Sequence, residues 1–514
     1  MERFNASEYF LDRRVAAGHG GRVALRAGGE TISYGDLLAC VERAAAGLRA
    51  LGVRPEERVL MVLLDTPEFV VTFLAAMRIG AVPLPLNPLL PGRDLAAIAR
   101  DCRARIAVVS AERGAPLAEM AAGAPEISEF VITGEGRPVP APARSHPWTE
   151  AMTVPGDGAP YETWEDSPGF WQCTSGTTGL PKLAMHRHAD LRTIAEGYAR
   201  EVLAIEPGDR CYSVAPLFHA YGLGNSLVFP LSVGATSILE PARPPIPARV
   251  AEVVREERPT LFFAVPTFYG ALLAAGLPAE TFSGVRQAVS AGEALPAELF
   301  TRFGERFGVE ILDGIGSTEM GHIFISNRRG LARGGTSGTP VGGYQVELRD
   351  DAGTALPYGA TGHLYVSGAT AATGYWCRAD ATRRTFGGQW VHTGDMYATS
   401  LDGFYSYLGR SDDMLKVAGE WVSPAEVEAV LLERPEIVEA AVVGETTADG
   451  LTQPVAFVVA ALGCTVDEAA IGSHCRERLA GFKRPRRLIV VDDLPKTATG
   501  KIQRAEMRKR LAQA

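Results

Sequence analysis

The nonapeptide at residues 174–182 is Thr174-Ser175-Gly176-Thr177-Thr178-Gly179-Leu180-Pro181-Lys182, and it follows the apolar run Gly169-Phe170-Trp171-Gln172-Cys173. Glycines let backbone N–H groups approach a ligand closely, hydroxyls donate hydrogen bonds, and Lys182 adds a positive charge. We therefore predict that this loop binds a polyphosphate; the alternative is a flexible turn without a ligand. It is not a Walker A loop, because the spacing Gly-x4-Gly-Lys-Ser/Thr is absent.

Composition narrows the class of protein. The chain has 514 residues, which exceeds one ordinary core and predicts two or more domains. Its net charge of −9 argues against general nucleic-acid binding. The seven cysteines are scattered without a Cys-x-x-Cys pair, as is typical of reduced thiols in a cytoplasmic protein. Residues 1–15 hold no signal-peptide core, and the longest apolar stretch, 59–77, is interrupted by Asp65, Pro67 and Glu68, so no membrane span is expected.

The hydrophobic pattern divides the chain into three parts. Over the first 340 residues, short apolar runs alternate with amphipathic stretches, which predicts an α/β fold with layered, largely parallel sheets. Residues 344–407 read as strands separated by Gly and Asp turns, which predicts a β-rich subdomain. After residues 409–413, a compact α+β domain of about 100 residues is expected. We place the domains at 1–411 and 412–514.

Six further short segments follow the nonapeptide: Leu217-Phe218-His219-Ala220-Tyr221-Gly222, Ser290-Ala291-Gly292-Glu293, Asp313-Gly314-Ile315-Gly316-Ser317-Thr318-Glu319, Thr393-Gly394-Asp395, Gly409-Arg410-Ser411-Asp412-Asp413-Met414-Leu415-Lys416 and Pro495-Lys496-Thr497-Ala498-Thr499-Gly500-Lys501. In order and approximate spacing, they resemble the motifs of the acyl-adenylate-forming superfamily, which comprises acyl-CoA synthetases, adenylation domains of peptide synthetases and luciferases. The resemblance covers nearly the whole chain. It implies ATP and CoA as co-substrates, Mg²⁺ as cofactor, a large AMP-binding amino-terminal domain and a small mobile carboxyl-terminal lid domain.

The resemblance assigns most of these segments to nucleotide binding. Besides the loop residues, the implied contacts with ATP or AMP come from Gly292, Glu293, Asp313, Gly314, Ile315, Gly316, Ser317, Thr318, Asp395 and Arg410. Asp395, expected at the end of a strand, accepts hydrogen bonds from the ribose hydroxyls, and Arg410 donates to ribose or phosphate oxygens. Glu319 is placed to bind Mg²⁺ through a carboxylate oxygen, the kind of ligand that magnesium prefers. Each assignment has an alternative: Asp395 could be an ordinary turn aspartate, Arg410 could form a surface salt bridge, and Glu319 could lie near a helix cap.

Lys501 is the residue that the resemblance assigns to adenylation. A carboxylate attacking an α-phosphate brings two anions together, and a lysine that bridges them offsets the repulsion and positions the attack. The alternative is one basic side chain among many, which are Lys483, Arg484, Arg486, Arg487, Lys496, Arg504, Arg508 and Lys509. Such a basic tail is also a feature of nucleic-acid binding, but the acidic chain as a whole favours catalysis and binding of the CoA phosphates.

Asp412 stands at the position of the family's hinge. The resemblance implies that the carboxyl-terminal domain rotates after adenylation, so that Lys501 leaves the site. The face 416–421 then replaces it and forms a pantetheine tunnel, with Lys416 as a catalytic residue and Gly419, Glu420 and Trp421 as contacts of CoA. The thiol of CoA attacks the acyl-adenylate carbonyl, and AMP leaves.

The acid-binding pocket is assigned by resemblance to Ala220, Tyr221, Gly222, Phe263, Gly316, Gly321, His322 and Ile323. Amino-acid-activating relatives place an Asp near Ala220 or Tyr221, and siderophore-type aryl-acid relatives place an Asn there, and both are missing here. The runs 220–222 and 316–327 resemble those of benzoate-CoA ligases. A flat ring fits between small glycines and aromatic or branched walls, so we predict a benzoate or a hydroxy- or aminobenzoate.

Two pocket residues, Gly321 and His322, and the neighbouring His219 carry finer expectations. Gly321 stands where benzoate-specific relatives carry a bulkier apolar residue, and the extra volume favours a substituted ring. His322 is predicted to hydrogen-bond a ring substituent. His219 has three interpretations: a gate beside the pocket, a general base, or a structural histidine. The gate is favoured, because a thiol needs little help from a base.

The predicted function is that of an ATP-dependent aryl-CoA ligase, and two other functions remain open. One is a stand-alone aryl-acid adenylating enzyme that loads a carrier protein. The other is a non-catalytic nucleotide-binding scaffold, against which the retained Lys501, Glu319, Asp395 and Arg410 argue. We expect a monomer or homodimer with no nucleic-acid or membrane partner. His186 and His188 alternate on a predicted strand and are interpreted as structural, and Gly314-x-Gly316-x-x-Glu319 lacks the third glycine of an NAD fingerprint.

Overall fold

The computed structural model describes residues 2–134, 143–174, 181–417, 420–447, 451–461, 463–495 and 502–513. The predicted site residues Ser175, Gly176, Thr177, Thr178, Gly179, Gly419 and Lys501 lie outside these ranges. The chain forms two compact units. The first consists of residues 1–345 and 366–391, and the second of residues 346–365 and 392–514. This division places the segments 346–365 and 392–411 in the second unit, together with the carboxyl-terminal residues. It therefore does not test the predicted domain boundary between 411 and 412, which stays a prediction.

The strands, in chain order, are β1 (Val23–Ala27), β2 (Glu30–Ser33), β3 (Arg58–Val62), β4 (Val82–Pro85), β5 (Ile106–Ser110), β6 (Glu129–Thr133), β7 (Arg144–Pro147), β8 (Pro168–Thr174), β9 (Lys182–Arg187), β10 (Arg210–Ser213), β11 (Thr236–Leu239), β12 (Leu261–Ala264), β13 (Gln287–Ser290), β14 (Ile311–Gly316), β15 (Ile323–Ser326), β16 (Thr339–Pro340), β17 (Tyr344–Arg349), β18 (Thr361–Gly368), β19 (Phe386–Gly387), β20 (Trp390–Thr399), β21 (Tyr405–Arg410), β22 (Leu415–Val417), β23 (Glu420–Val422), β24 (Ile437–Thr446), β25 (Thr452–Ala460) and β26 (Arg487–Val490).

The α-helices are α1 (Tyr34–Ala50), α2 (Pro67–Arg78), α3 (Gly92–Cys102), α4 (Gly114–Gly123), α5 (Trp148–Ala151), α6 (His188–Ile194), α7 (Ala220–Leu223), α8 (Phe229–Val233), α9 (Pro247–Glu257), α10 (Pro266–Ala274), α11 (Ala297–Phe307), α12 (Ala379–Thr385), α13 (Pro424–Leu432), α14 (Glu468–Arg478) and α15 (Arg504–Gln513). Short 3₁₀ turns lie at Ala111–Arg113, Ala279–Phe282, Thr318–Met320 and Gly481–Lys483, and π-helical turns at Glu8–Asp12, Val15–His19, Ala195–Val202 and Gly224–Val228. In the described parts of the chain, none of the helices is long and apolar enough to cross a lipid bilayer.

The first unit is built on one mostly parallel sheet and one smaller, wholly parallel sheet. In the larger sheet, the neighbouring strands β14-β13-β12-β10-β11-β1 run parallel, β15 and β16 add antiparallel strands at one side, and β2 does so at the other. The smaller sheet has the parallel order β4-β3-β5-β6-β7. Parallel strands are covered on both faces, so they appear in the sequence as continuous apolar runs, as in β5, where every residue is buried. The predicted α/β fold class is confirmed.

An antiparallel hairpin carries the ends of the nonapeptide. Strands β8 and β9 pair so that Thr174 lies opposite Lys182. The chain near residue 374 joins the other edge of β9, because Met185 N–H donates to Gly374 O at 3.0 Å and Trp376 N–H donates to Leu183 O at 2.9 Å. The strand that leaves the predicted phosphate loop is therefore hydrogen-bonded on both sides.

The second unit contains β-rich and α+β parts. Strand β20 pairs antiparallel with β21, β22 forms a hairpin with β23, and β24, β25 and β26 form a three-stranded sheet. Helix α13 packs beside β24, where the buried Glu428 accepts a hydrogen bond from the Val442 N–H at 2.7 Å. Arg504 at the start of α15 donates to the same carboxylate at 2.7 and 2.8 Å. This ion pair ties α15 to α13.

Two local predictions differ from the structure. The sequence predicts Asp395 at the end of a strand, but β20 continues to Thr399 and places Asp395 in its interior. The composition Thr-Gly-Asp is typical of turns, whereas here Gly394 adopts φ = +75° and the strand goes on. The sequence also predicts His188 on the same strand as His186, but β9 ends at Arg187 and His188 begins α6.

Candidate active site

The segment predicted to hold phosphates continues from β14 into one 3₁₀ turn, Thr318–Met320. Ser317 caps this turn, because its Oγ accepts a hydrogen bond from the Met320 N–H at 3.2 Å. Gly321 ends the turn with φ = +72°, in the left-handed region that favours glycine. Glu319 thus lies at the centre of a turn whose start and end are both determined by adjacent residues.

Two segments remote in sequence fix the main chain of this turn. Its successive carbonyl oxygens each accept a hydrogen bond: Thr318 O from His186 Nε2 at 2.7 Å, Glu319 O from the Ala372 N–H at 2.8 Å, and Met320 O from Thr370 Oγ1 at 2.8 Å. Three successive carbonyls that are all hydrogen-bonded leave the turn little freedom. The turn is therefore a rigid support for the Glu319 side chain.

Tyr375 contacts both Lys182, predicted to bind phosphate, and Glu319, predicted to bind Mg²⁺. Its hydroxyl donates to Glu319 Oε1 at 2.6 Å, and Lys182 Nζ lies 3.4 Å from the same hydroxyl and 4.4 Å from the ring centroid. Tyr375 is only 3% exposed. No local pattern in the sequence indicates this residue, because its two partners lie 56 and 193 positions away.

His186 is buried, and both of its ring nitrogens have partners. Its Nδ1 lies 3.1 Å from Asp190 Oδ2 and its Nε2 faces the carbonyl oxygen of Thr318, so both ring nitrogens meet acceptors. The ring stacks on Phe170 with centroids 4.8 Å apart. The structural interpretation holds in the sense that His186 is buried and fully engaged, but its partner belongs to the predicted phosphate-binding segment.

The predicted pocket residues Tyr221, Phe263 and His322 lie in one aromatic cluster. The ring centroids of Tyr221 and Phe263 are 6.5 Å apart with an edge contact, and those of Tyr221 and His322 are 5.8 Å apart. Tyr198 and Phe229, which the sequence does not single out, complete the cluster at 5.6 and 4.6 Å from the His322 ring. Aromatic faces and edges of this kind suit the binding of a flat ring.

Close backbone packing surrounds the cluster. Helix α7 carries Ala220, Tyr221 and Gly222, and the Tyr221 hydroxyl donates to Val289 O at 2.9 Å. A Cβ added at Gly316 would lie 2.6 Å from the carbonyl carbon and oxygen of His322. Ile323 follows on β15 and is buried. The glycines are therefore required by the approach of neighbouring main chains.

The structure gives a reason for glycine at position 321 that differs from extra volume for a substituted ring. Its Cβ would lie 2.9 Å from Ile194 Cδ1 and 3.4 Å from His186 Cε1. The positive φ also disfavours any larger residue. The missing side chain therefore opens no volume in that direction, because Ile194 already fills it.

His219 precedes α7 on a segment that is anchored from another sheet. The buried Asp65 carboxylate accepts from the Leu217 N–H at 3.1 Å and from Arg243 Nη2 at 2.6 Å. Burial raises the pKa of Asp65 above its usual value, and Arg243 opposes that rise. The His219 ring packs against Phe218 with centroids 4.4 Å apart. Its role among the three interpretations stays a prediction.

Two further predicted nucleotide-binding segments end neighbouring strands, β13 and β14. Gly292 has φ = +90°, and the Glu293 carboxylate accepts from the Thr267 N–H at 3.1 Å. Asp313 is buried, and burial raises the pKa of its carboxyl well above the usual value. Its Oδ1 has no hydrogen-bond partner among the described residues. Gly314 and Ile315 continue β14 beyond it.

The second unit holds the remaining described site residues. Arg410 Nη1 donates to Asp395 Oδ1 and to Thr393 O, each at 3.0 Å. The Asp395 N–H donates to Thr393 Oγ1 at 3.1 Å. On the hairpin of β22 and β23, Lys416 Nζ lies 4.8 Å from the Trp421 ring centroid. Asp412 and Glu420 are exposed.

The uncharged state of His322 gives a testable pH dependence. Burial lowers its pKa to about 3, and its Nε2 lies 3.3 Å from Tyr221 O, so that nitrogen carries the proton of the neutral ring. The unfolded chain binds a proton near pH 6.5, so stability is lost as the pH falls below that value, by about 2 kcal/mol between pH 6.5 and 5. Urea midpoints of wild type and His322→Gln at both pH values measure this loss, which should shrink in the variant. Equal losses in both proteins would contradict the assignment.

Known proteins match the chain along nearly its whole length. The family described as AMP-binding enzyme matches residues 12–376, and the AMP-binding enzyme C-terminal domain matches residues 426–501. The benzoate–CoA ligase of Thauera aromatica is 44% identical over 513 residues, which are 99% of this chain and 96% of the relative. The 4-hydroxybenzoate–CoA/benzoate–CoA ligase of Rhodopseudomonas palustris is 41% identical over 514 residues, 99% of this chain and 94% of the relative.

The fold of the chain is also similar to that of a solved structure. The anthranilate CoA ligase AuaEII, solved in complex with anthranoyl-AMP, superposes with a TM-score of 0.93 at 37% identity. The match covers 99% of this chain and 98% of that chain.

Proposed function

This chain belongs to the AMP-binding enzyme family, and from that membership we infer that it is an ATP-dependent aryl-CoA ligase. In the first half-reaction, the aryl carboxylate attacks the α-phosphate of ATP, and an aryl-adenylate and diphosphate form. In the second, the thiol of CoA attacks the adenylate carbonyl, and an aryl-CoA thioester and AMP form. The observation that carries this conclusion is the 44% identity to a benzoate–CoA ligase across 99% of the chain. The two relatives at 44% and 41% identity are both CoA ligases, which disfavours the carrier-protein alternative.

The acid is a benzoate or a substituted benzoate. The packing of Tyr221, Phe263 and His322 with Tyr198 and Phe229 in one aromatic cluster supports a ring acid as the substrate. A ring acid gains from aromatic contacts, whereas a flexible aliphatic acid also loses rotational freedom on binding. We propose that the buried, neutral His322 is the polar group nearest to a ring substituent.

In the first unit, Lys182 and Glu319 are proposed to meet the phosphates of ATP. Lys182 would supply positive charge, and Thr318 is proposed as a contact of the α-phosphate. Among the described residues, no group of three or more His, Cys, Asp and Glu side chains could hold a metal ion. A single carboxylate at Glu319 fits Mg²⁺ nonetheless, because this ion is commonly held by one or two carboxylates together with substrate phosphates. When bound, it would neutralise charge on the phosphates.

The second unit is proposed to supply contacts with the ribose and the residues that exchange between half-reactions. Asp395 accepts hydrogen bonds from the ribose, and Arg410 already points its guanidinium at that carboxylate. We propose Lys501 for adenylation, where a cation between carboxylate and phosphate offsets their repulsion. Lys416, Gly419, Glu420 and Trp421 are proposed for CoA, Asp412 for the hinge, and His219 for the gate. We further propose a cytoplasmic monomer or homodimer.

Pyrophosphate release across a panel of acids tests this function. We expect release with ATP, Mg²⁺ and benzoates, a thioester product when CoA is added, and rates at least tenfold lower with aliphatic acids. Phenylacetate serves as the matched control, because it keeps the ring and moves the carboxylate by one carbon. Release without thioester formation would refute CoA as the acceptor, and release with aliphatic acids alone would refute the aromatic pocket.

A further inference from the structure

One buried phenol contacts two oppositely charged side chains of the proposed nucleotide site. The Tyr375 hydroxyl donates to Glu319 Oε1 at 2.6 Å, which is the short distance of a charge-assisted hydrogen bond. Lys182 Nζ lies over the face of the same ring, 4.4 Å from its centroid. Among the ion pairs of the described residues, none joins Lys182 to Glu319 directly. The phenol therefore stands between an ammonium and a carboxylate that would otherwise attract each other.

The surroundings hold this phenol in place. Its residue forms a β-bridge with Ala184, and its N–H donates to Thr382 Oγ1 at 3.0 Å. The ring packs edge-on against Phe386 with centroids 5.3 Å apart. A ring fixed from the main chain and from one edge keeps its hydroxyl aimed at one point, so the Glu319 carboxylate is oriented before any ligand arrives.

We propose that Tyr375 is a positioning residue that orients the Glu319 carboxylate toward the metal–phosphate group of ATP and keeps Lys182 from pairing with it. This inference rests on the proposed function. The hydroxyl engages one carboxylate oxygen and so fixes the direction of the other. The ring face holds the ammonium loosely enough for phosphate oxygens to attract it away, because a cation–π contact is weaker than a charge-assisted hydrogen bond.

The test compares binding of ATP with and without Mg²⁺ by calorimetric titration. Tyr375→Phe removes the hydroxyl, and with it the 2.6 Å hydrogen bond to Glu319 and the long 3.4 Å contact from Lys182 Nζ. We expect affinity for Mg·ATP to fall about tenfold, as for the loss of a hydrogen bond to a charged group. Affinity for ATP in EDTA should change less than about twofold, because the ring that holds the Lys182 ammonium remains. In steady-state kinetics, KM for Mg·ATP should rise and KM for the aromatic acid should not. Tyr375→Leu, which also removes the ring, should weaken ATP binding in EDTA as well.

Two controls separate positioning from general destabilisation. Tyr34→Phe removes another buried hydroxyl, which donates to Ala235 O at 2.7 Å far from these residues in sequence, and both ATP affinities should stay unchanged. In a Glu319→Gln background, Tyr375→Phe should have no further effect on Mg·ATP binding.

Each remaining outcome overturns a specific claim. Equal losses with and without Mg²⁺, unchanged binding in Tyr375→Phe, or additive losses in the double variant would refute the role of Tyr375. Wild-type protein that binds no ATP and releases no pyrophosphate with any ring acid would instead refute the proposed function.

Discussion

Lys501→Ala protein is expected to form aryl-adenylate about 10²–10³-fold more slowly than wild type, because it loses the cation that stabilises charge as the carboxylate meets the α-phosphate. Binding of Mg·ATP and of the aromatic acid should change little, since the lysine acts in the transition state. The second half-reaction, started from supplied benzoyl-adenylate and CoA, should stay within about threefold of wild type. Single-turnover assays of the two half-reactions measure both rates.

The neighbouring basic residues provide the control for this variant. Lys509 on α15 is 73% exposed in its side chain and pairs with Glu506 one helical turn away, so Lys509→Ala should retain both half-reactions. A Lys501→Ala protein with full adenylation would show that Lys501 is one basic residue among many. Equal loss of both half-reactions would show damage to the fold rather than removal of a catalytic charge.

Gly222→Ala is expected to lower either the stability or the adenylation rate of the protein, because the added Cβ clashes with neighbouring main chain. A Cβ at this position would lie under 3.0 Å from the carbonyl oxygens of Pro216 and Ala215, and main chain cannot move aside as a side chain can. Overpacking of this kind costs about 3 kcal/mol. If the helix shifts instead, Tyr221 moves with it, and a displacement near 1 Å lowers the adenylation rate about 100-fold. Urea unfolding and pyrophosphate release measure the two costs.

The same substitution at a second helical glycine is expected to stabilise the protein. Gly270 lies in α10, and a Cβ added there would meet open space within 4 Å, apart from the backbone of its own helix. Gly270→Ala should therefore stabilise the protein by about 0.5–1 kcal/mol and leave activity unchanged. Wild-type stability and activity in Gly222→Ala would contradict the packing described for α7.

The sequence predicts those features that depend on short stretches. The apolar runs become the strands of parallel sheets, and helix α2 begins at Pro67, where proline occupies the first helical position that it favours. The sequence indicates the aromatic cluster in part, because Tyr221 and His322 lie in motifs. It does not indicate the other members, Tyr198 and Phe229, since nothing in their local sequence distinguishes them from ordinary core residues.

The residues that hold the candidate site in place act through long-range contacts, which a short sequence pattern cannot indicate. His186 reaches the Thr318 carbonyl across 132 positions, and Tyr375 reaches Lys182 across 193. The sequence pattern misplaces Asp395 at the end of a strand for a related reason, because pairing between β20 and β21 overrides the turn preference of Thr-Gly-Asp. Tertiary contacts thus decide the outcome where local preference is weak.

The chain passes between its two compact units three times, after residues 345, 365 and 391. The stretch 366–391 therefore completes the first unit only after the segment 346–365 of the second has been synthesised. A fragment ending at residue 345 would lack the segment that hydrogen-bonds the outer edge of β9, and with it Tyr375. A chimera that exchanges coding blocks with a relative must therefore transfer residues 366–391 together with the first 345 residues, because only then does β9 keep the hydrogen bonds on its outer edge.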